Sequence, residues 1–147
     1  MTNVADPTTA RTYGIAEAAA ATGTTVDTLR YYERAGVLPD IGRTTGGQRT
    51  YTDDDLGWIV FVRRLRATGM SMVRIQDYAG KVRAGEGTVA ERRRMLEEHR
   101  ADVAAAIDEL TDALGILDAK IAHYEAAERG VDLDCSDTPL RQVARLG

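Results

Sequence analysis

Arg30, Tyr31 and Tyr32, followed at once by Glu33-Arg34-Ala35-Gly36, put a guanidinium and two phenols within one turn of chain. On an exposed helix face a guanidinium can fork to a phosphate or to a guanine edge. A neighbouring tyrosine can donate its hydroxyl to phosphate and lay its ring on a sugar. An arginine between Asp27 and Glu33 would by itself more often form a surface salt bridge; the paired tyrosines shift the balance towards a nucleic-acid backbone. Tyr32 also falls on the apolar side of the same helix, where core packing competes with a DNA role. Downstream, Arg43 and Arg49 flank Thr44-Thr45-Gly46-Gly47-Gln48, with Tyr51 just beyond. Arg49 suits a phosphate clamp, an internal pair with Asp54 or Asp55 being the alternative. Gln48 offers an amide to a phosphate or a base edge. Thr25 and Thr28 open the Arg30 helix, where free N–H groups and short hydroxyls favour phosphate; plain capping is an equal reading for Thr25. Ser71 and Arg74 open a later helix that could grip the backbone further out. Arg92-Arg93-Arg94 reads as a solvated face.

These side chains need elements to hold them. Ile15, Ala18, Ala19 and Thr22 have helical spacing in a run of alanines and Gly23 ends it, so a small helix over 14–21 is expected. Thr25 is the expected N-cap of the next helix, its hydroxyl accepting from an N–H near Thr28 for about 1 kcal/mol. Val26, Leu29 and Tyr32 then face inward, which leaves Asp27, Thr28, Arg30 and Tyr31 outward. Gly36 stops that helix. Residues 41–52 alternate too poorly for a long strand, but Gly46-Gly47 between short arms suits a tight hairpin. Thr52-Asp-Asp-Asp55 and Thr88-Val-Ala-Glu91 both have capping-box spacing. The first opens a helix with Leu56, Ile59, Val60, Val62 and Leu65 inward and Arg63, Arg64 and Arg66 outward. Ser71 caps a shorter helix carrying Met72, Ile75 and Tyr78. The second box opens the longest element. In it Val103, Ile107, Leu110, Leu114, Leu117, Ile121 and Tyr124 follow a strict 4,3 spacing without a polar exception. A 3.5-residue period is a coiled-coil seam, and the simplest partner is a second copy of the chain. Gly115 beside the seam costs about 1 kcal/mol relative to alanine.

Helix, turn, helix and a basic glycine-tipped hairpin outline a winged helix-turn-helix, which lays its second helix in the major groove. The sequence Leu29-Arg-Tyr-Tyr-Glu-Arg-Ala-Gly36 with Arg49 and Tyr51 after it resembles the MerR family of bacterial transcription regulators, over residues 13–124. The resemblance implies that Arg30-Tyr31-Tyr32 touch operator DNA and that Arg43, Arg49 and Tyr51 belong to the wing. Gln48 stands where many members have tyrosine. It further implies long helices paired antiparallel in a homodimer on an inverted-repeat operator. The promoter spacer would be bent and untwisted so that RNA polymerase engages both promoter elements, a form of indirect readout. The segment from His99 to Tyr124 looks most like the small, AdhR-like branch associated with electrophile stress, although the cysteine of those sensors has no match at the same place.

The expected fold is therefore mainly α: a flexible N-terminus over 1–11, a winged helix-turn-helix over 12–87, a coiled-coil helix over 88–128 and a tail over 129–147 that could serve an effector. Bulk composition agrees. The net charge of −4 splits into 13 basic against 10 acidic residues over 12–94 (+3) and 5 against 12 over 95–147 (−7), so positive charge travels with the reading head. Cys135 is the single cysteine, which excludes an intrachain disulfide and a cysteine-only metal site. It reads as an ordinary tail residue, with a thiol sensor as the alternative. His99 and His123 read as helix-surface histidines. No apolar run nears the ~20 residues that span a bilayer, so a cytoplasmic protein without a membrane partner is expected. No Ser/His/Asp set, phosphate loop or paired catalytic carboxylates occur, so neither an enzyme nor a cofactor is expected. A small-molecule effector and a protein-binding role for the helical head stay open.

Overall fold

The computed structural model describes residues 11–131, in the order α1 (Ile15–Thr22), α2 (Val26–Arg34), β1 (Gly42–Arg43), β2 (Arg49–Thr50), α3 (Asp53–Ala67), α4 (Met72–Ala84), a 3-10 turn (Glu86–Thr88) and α5 (Val89–Glu128). The expectations for 1–10, for the tail from 132 onward and for Cys135 lie outside the described residues. The chain divides into two compact units at His99/Arg100. The first therefore takes in the opening turns of α5, beyond the expected limit at 87.

Local chemistry sets most boundaries. Gly23 adopts φ 67° to close α1, a left-handed geometry that costs glycine little. A Cβ there would sit 3.0 Å from the Arg63 guanidinium. The Thr25 hydroxyl accepts from Thr28 N–H at 3.1 Å, as expected of an N-cap. Thr52 and Asp55 form the full reciprocal capping box, at 3.2 and 2.9 Å. Ser71 caps α4 through Arg74 N–H.

The second expected box does not form. Thr88 lies in the 3-10 turn, and its hydroxyl donates backwards to the carbonyls of Lys81 (2.6 Å) and Gly85 (2.8 Å). Each of these carbonyls also accepts one backbone N–H, Lys81 O from Gly85 and Gly85 O from Thr88, so the hydroxyl that the spacing assigned to α5 adds a second bond at the C-terminal end of α4. Glu91 pairs instead with Lys81 at 2.8 Å. That contact raises the Lys81 ammonium pKa and lowers that of the Glu91 carboxyl.

The core of the first unit gathers Ala18 and Ala19 of α1, Leu29 and Tyr32 of α2, Val37 and Leu38, Tyr51, then Ile59, Val62, Leu65, Met70 and Ile75. The alanines let α1 lie close against its neighbours. Val60 is only half-buried, at the margin of the apolar stripe assigned to it. Trp58 stacks on Tyr78 with ring centroids 5.9 Å apart, and its indole N–H donates to Val37 O at 2.7 Å. His99 is buried rather than on the surface. Its Nε2 lies 2.7 Å from the Thr68 hydroxyl, which itself lies 2.8 Å from Arg64 O.

Candidate nucleic-acid interface

The outer face of α2 carries Asp27, Arg30 and Tyr31, all exposed, with Thr28 half-exposed. Among the described residues the one ion-pair partner of Arg30 is Asp27, 3.8 Å away and 96% exposed. An ion pair that long and that wet is worth about 0–0.5 kcal/mol, so the guanidinium is at liberty to take a stronger partner. Tyr31 is 45% exposed and leans on Tyr32, ring centroids 6.0 Å apart.

The wing is a two-stranded ribbon pairing Gly42 with Thr50 and Arg43 with Arg49. Its turn is closed by Gly47 N–H to Thr44 O at 2.9 Å and Thr44 N–H to Gln48 O at 2.7 Å. Gly47 alone has the left-handed φ, 81°, which is the three-residue hairpin with a bulge glycine. The base is fixed by a reciprocal backbone bridge between Tyr13 and Tyr51, both bonds 2.8 Å.

Arg30, Gln48, Arg49 and Gly47 meet the start of α1 (Gly14 to Glu17) around an open concavity of about 460 Å³, so two guanidinium groups and one carboxylate share it. Gly14 provides no side-chain cap to α1, and the Glu17 carboxylate lies close to that helix start. The Arg30 and Arg49 guanidinium groups suit a phosphate, on the side of the hollow away from Glu17. The fold thus joins residues from α2 and the wing that are far apart in sequence. Ser71 and Arg74 stand apart from this group, at the start of α4, where Arg74 is ion-paired with Glu98.

Two expected contact residues are corrected. Tyr32 is buried at 6% exposure and Tyr51 at 0%, so both phenol rings belong to the core that supports the face. For Tyr32 the helical period carries it onto the Leu29 side. For Tyr51 the bridge to Tyr13 turns the side chain inward. Burial pushes the Tyr51 phenol up from its ordinary 10.0, with the Glu33 carboxylate adding to the effect. Its hydroxyl has no hydrogen-bond partner among the described residues. Removing a buried, unpaired hydroxyl is neutral to stabilising by about 1 kcal/mol. Tyr51→Phe should therefore keep or raise the melting temperature at neutral pH. A raised folded pKa means the contribution of Tyr51 is fully present below pH 10 and fades as pH climbs further. The wild-type protein should accordingly lose stability faster than Tyr51→Phe in alkaline melts.

Three positioning residues escaped the sequence reading. Glu33 receives Arg49 Nε and lies 3.8 Å from Arg43; the partners considered for Arg49, Asp54 and Asp55, do not take it. Gln76 and Arg83 of α4 donate to Ala35 O and Gly36 O, each at 2.8 Å, and so satisfy carbonyls at the end of α2. These contacts span 16, 41 and 47 residues, and no local sequence signal announces them.

The description "MerR HTH family regulatory protein" matches residues 13–81, and the MerR DNA-binding description matches 56–120. An uncharacterised HTH-type transcriptional regulator of Haemophilus influenzae is 38% identical over 117 residues, covering 80% of this chain and 87% of that one. The chain belongs to the MerR family. It is a DNA-binding transcriptional regulator of the MerR type with a helix-turn-helix head and a long C-terminal helix. AdhR of Bacillus subtilis is 37% identical over 86 residues, 58% of this chain and 61% of that protein. Among solved structures, the MerR family regulator HiNmlR, which lacks the sensor domain and is bound to promoter DNA, superposes with a TM-score of 0.76. It is 37% identical and covers 82% of this chain and 97% of its own. These relatives are regulators rather than enzymes, and no described helix is long and apolar enough to cross a membrane.

Proposed function

We propose that this MerR-type regulator acts as a homodimer that reads an inverted-repeat operator and controls transcription by bending and untwisting the promoter spacer. The seam of α5 carries the proposal. Ile107, Leu110, Leu114, Leu117, Ile121 and Tyr124 are each between 53% and 67% exposed, and Val103 is half-buried. Burying what is left of six such side chains contributes about 1–1.5 kcal/mol each, on the order of 6–9 kcal/mol per helix. Two helices together, at about 12–18 kcal/mol, match or exceed a typical association cost of about 4–15 kcal/mol. A single chain leaves this stripe in water, and a second copy with the same stripe covers it.

Two joined heads then present two α2 helices, two wings and two α4 N-termini to one duplex. Arg30, Tyr31 and Thr28 take the major-groove face, with Arg43, Gln48 and Arg49 on the flanking phosphates and Ser71 and Arg74 further out. Thr25 caps α2 and is placed to add a phosphate contact. Groups spread that widely bind best when the duplex curves towards them, so deformability of the spacer enters the affinity. HiNmlR, which lacks the sensor domain, is bound to promoter DNA, and this supports operator binding by the helices that this chain shares with it. Cys135 is left as the one thiol through which an electrophile could act. RNA polymerase is reached through the promoter, and the site of action is the cytoplasm. Sedimentation equilibrium of the full chain should give twice the 16.0 kDa of one chain at micromolar concentration; a monomer there would remove the paired-head geometry.

A further inference from the structure

We propose that Glu33 sets the DNA specificity of this regulator by holding the wing arginines, an inference that rests on the operator-reading function above. Its carboxylate projects from the last turn of α2 and receives Arg49 Nε, while Arg43 Nη2 lies 3.8 Å away. Arg43 also donates to Gly47 O in the wing turn at 2.9 Å. Glu33 and Arg49 are only 29% and 31% exposed, so the pair is shielded more than a surface bridge, and a charge-assisted bond there is correspondingly strong.

Two consequences follow from this placement. The first is geometric. A ribbon of two paired residues per strand has little stiffness of its own, and the Tyr13–Tyr51 bridge secures only its base. Glu33 is the side-chain tie between the ribbon and the reading helix, so it fixes where the Arg49 guanidinium stands relative to Arg30. The second is electrostatic. Two guanidinium groups around one carboxylate leave the wing with a net single positive charge. Sequence-independent affinity grows with the number of phosphates neutralised, so Glu33 lowers the attraction of the wing for arbitrary duplex. Both effects act on the ratio of operator to non-operator affinity, the quantity that decides occupancy in a genome.

Glu33→Gln is close to isosteric and removes the charge. It is expected to tighten binding to non-operator duplex several-fold and to steepen the log–log salt dependence by about one unit. Operator binding should gain less, because Arg49 has lost its fixed position, and the specificity ratio should fall about two- to threefold. Glu33→Asp keeps the charge but withdraws it by one methylene; it should weaken operator binding without strengthening non-operator binding.

The experiment is selection from a random duplex library by the full-length wild-type protein. Affinities of the wild type, Glu33→Gln, Glu33→Asp, Arg49→Gln and the Glu33→Gln/Arg49→Gln double variant are then measured across a salt series. The probes are the selected duplex and a scrambled one. A lower ratio in Glu33→Gln, not lowered further when Arg49→Gln is added, bears the proposal out. An unchanged ratio, or independent additive effects of the two substitutions, overturns it. Should Glu33→Gln melt markedly lower, the Asp and Arg49 variants carry the same comparison. Enrichment of no sequence by the wild-type protein would overturn the operator-reading function itself, and this proposal with it.

Discussion

Arg30→Ala is expected to weaken operator binding by about 10- to 100-fold per head, corresponding to about 1–3 kcal/mol for a well-placed guanidinium contact. A dimer carries two copies, so the loss on a full operator should reach on the order of 10³-fold. The fold should be almost indifferent. Among the described residues the one ion-pair partner of Arg30 is the wet carboxylate of Asp27, 3.8 Å away, and alanine suits a helix at least as well as arginine. Melting temperature and far-UV circular dichroism should therefore match the wild type. The manner of the loss is informative as well. A guanine-edge contact removes affinity for the operator while largely sparing non-operator DNA. A phosphate contact lowers both and reduces the salt slope by about one unit. Undiminished operator affinity in Arg30→Ala would remove α2 from the reading face.

Leu114→Glu should be as damaging by a different route. Leu114 lies mid-seam and is 60% exposed in the single chain. Helix propensity is nearly unchanged by the substitution, and the core of the head contains no residue from this part of α5. The substitution would place a carboxylate in an apolar dimer seam, at a cost of several kcal/mol per copy unless the chains separate. The variant should sediment as a monomer at concentrations where the wild type is paired. Operator affinity should drop at least 100-fold, because each head then binds alone and the gain from joining two sites is lost. A Leu114→Glu protein that stays dimeric would mean that the pairing surface lies elsewhere.

The sequence was most legible where a residue acts on its immediate neighbours. Thr25, Thr52 and Ser71 cap the helices they precede, since an N-cap hydroxyl needs only an amide three residues on. Gly46-Gly47 located the wing turn for the same reason, although only Gly47 uses a left-handed φ. Thr88 shows the limit of that logic. It has the right spacing to cap α5, yet the carbonyls of Lys81 and Gly85 at the end of α4 lie within reach and take its hydroxyl.

The interface was legible in its membership more than in its wiring. Arg30, Gln48 and Arg49 do surround one hollow, as expected for residues chosen by charge and turn position. Tyr32 and Tyr51 could not be separated from them by type, because a tyrosine serves a core and a surface equally well. Only the packing of α2 and the bridge to Tyr13 show which way those rings face. The links from Glu33 to Arg49 and from Gln76 and Arg83 to the end of α2 depend on tertiary proximity. No periodicity encodes that.

Two coupled heads that bind one promoter and distort it leave a characteristic cleavage pattern on that DNA. Nuclease footprinting of the full-length protein on the DNA upstream of its own gene tests this most directly. Protection of an inverted repeat lying between the two promoter elements is expected, with enhanced cleavage at its centre where the duplex is kinked. Protection of a site without such a centre, or away from the spacer, would contradict the distortion mechanism. An unprotected promoter at low salt, with a folded dimer, would contradict the reading of this face as an operator-binding surface.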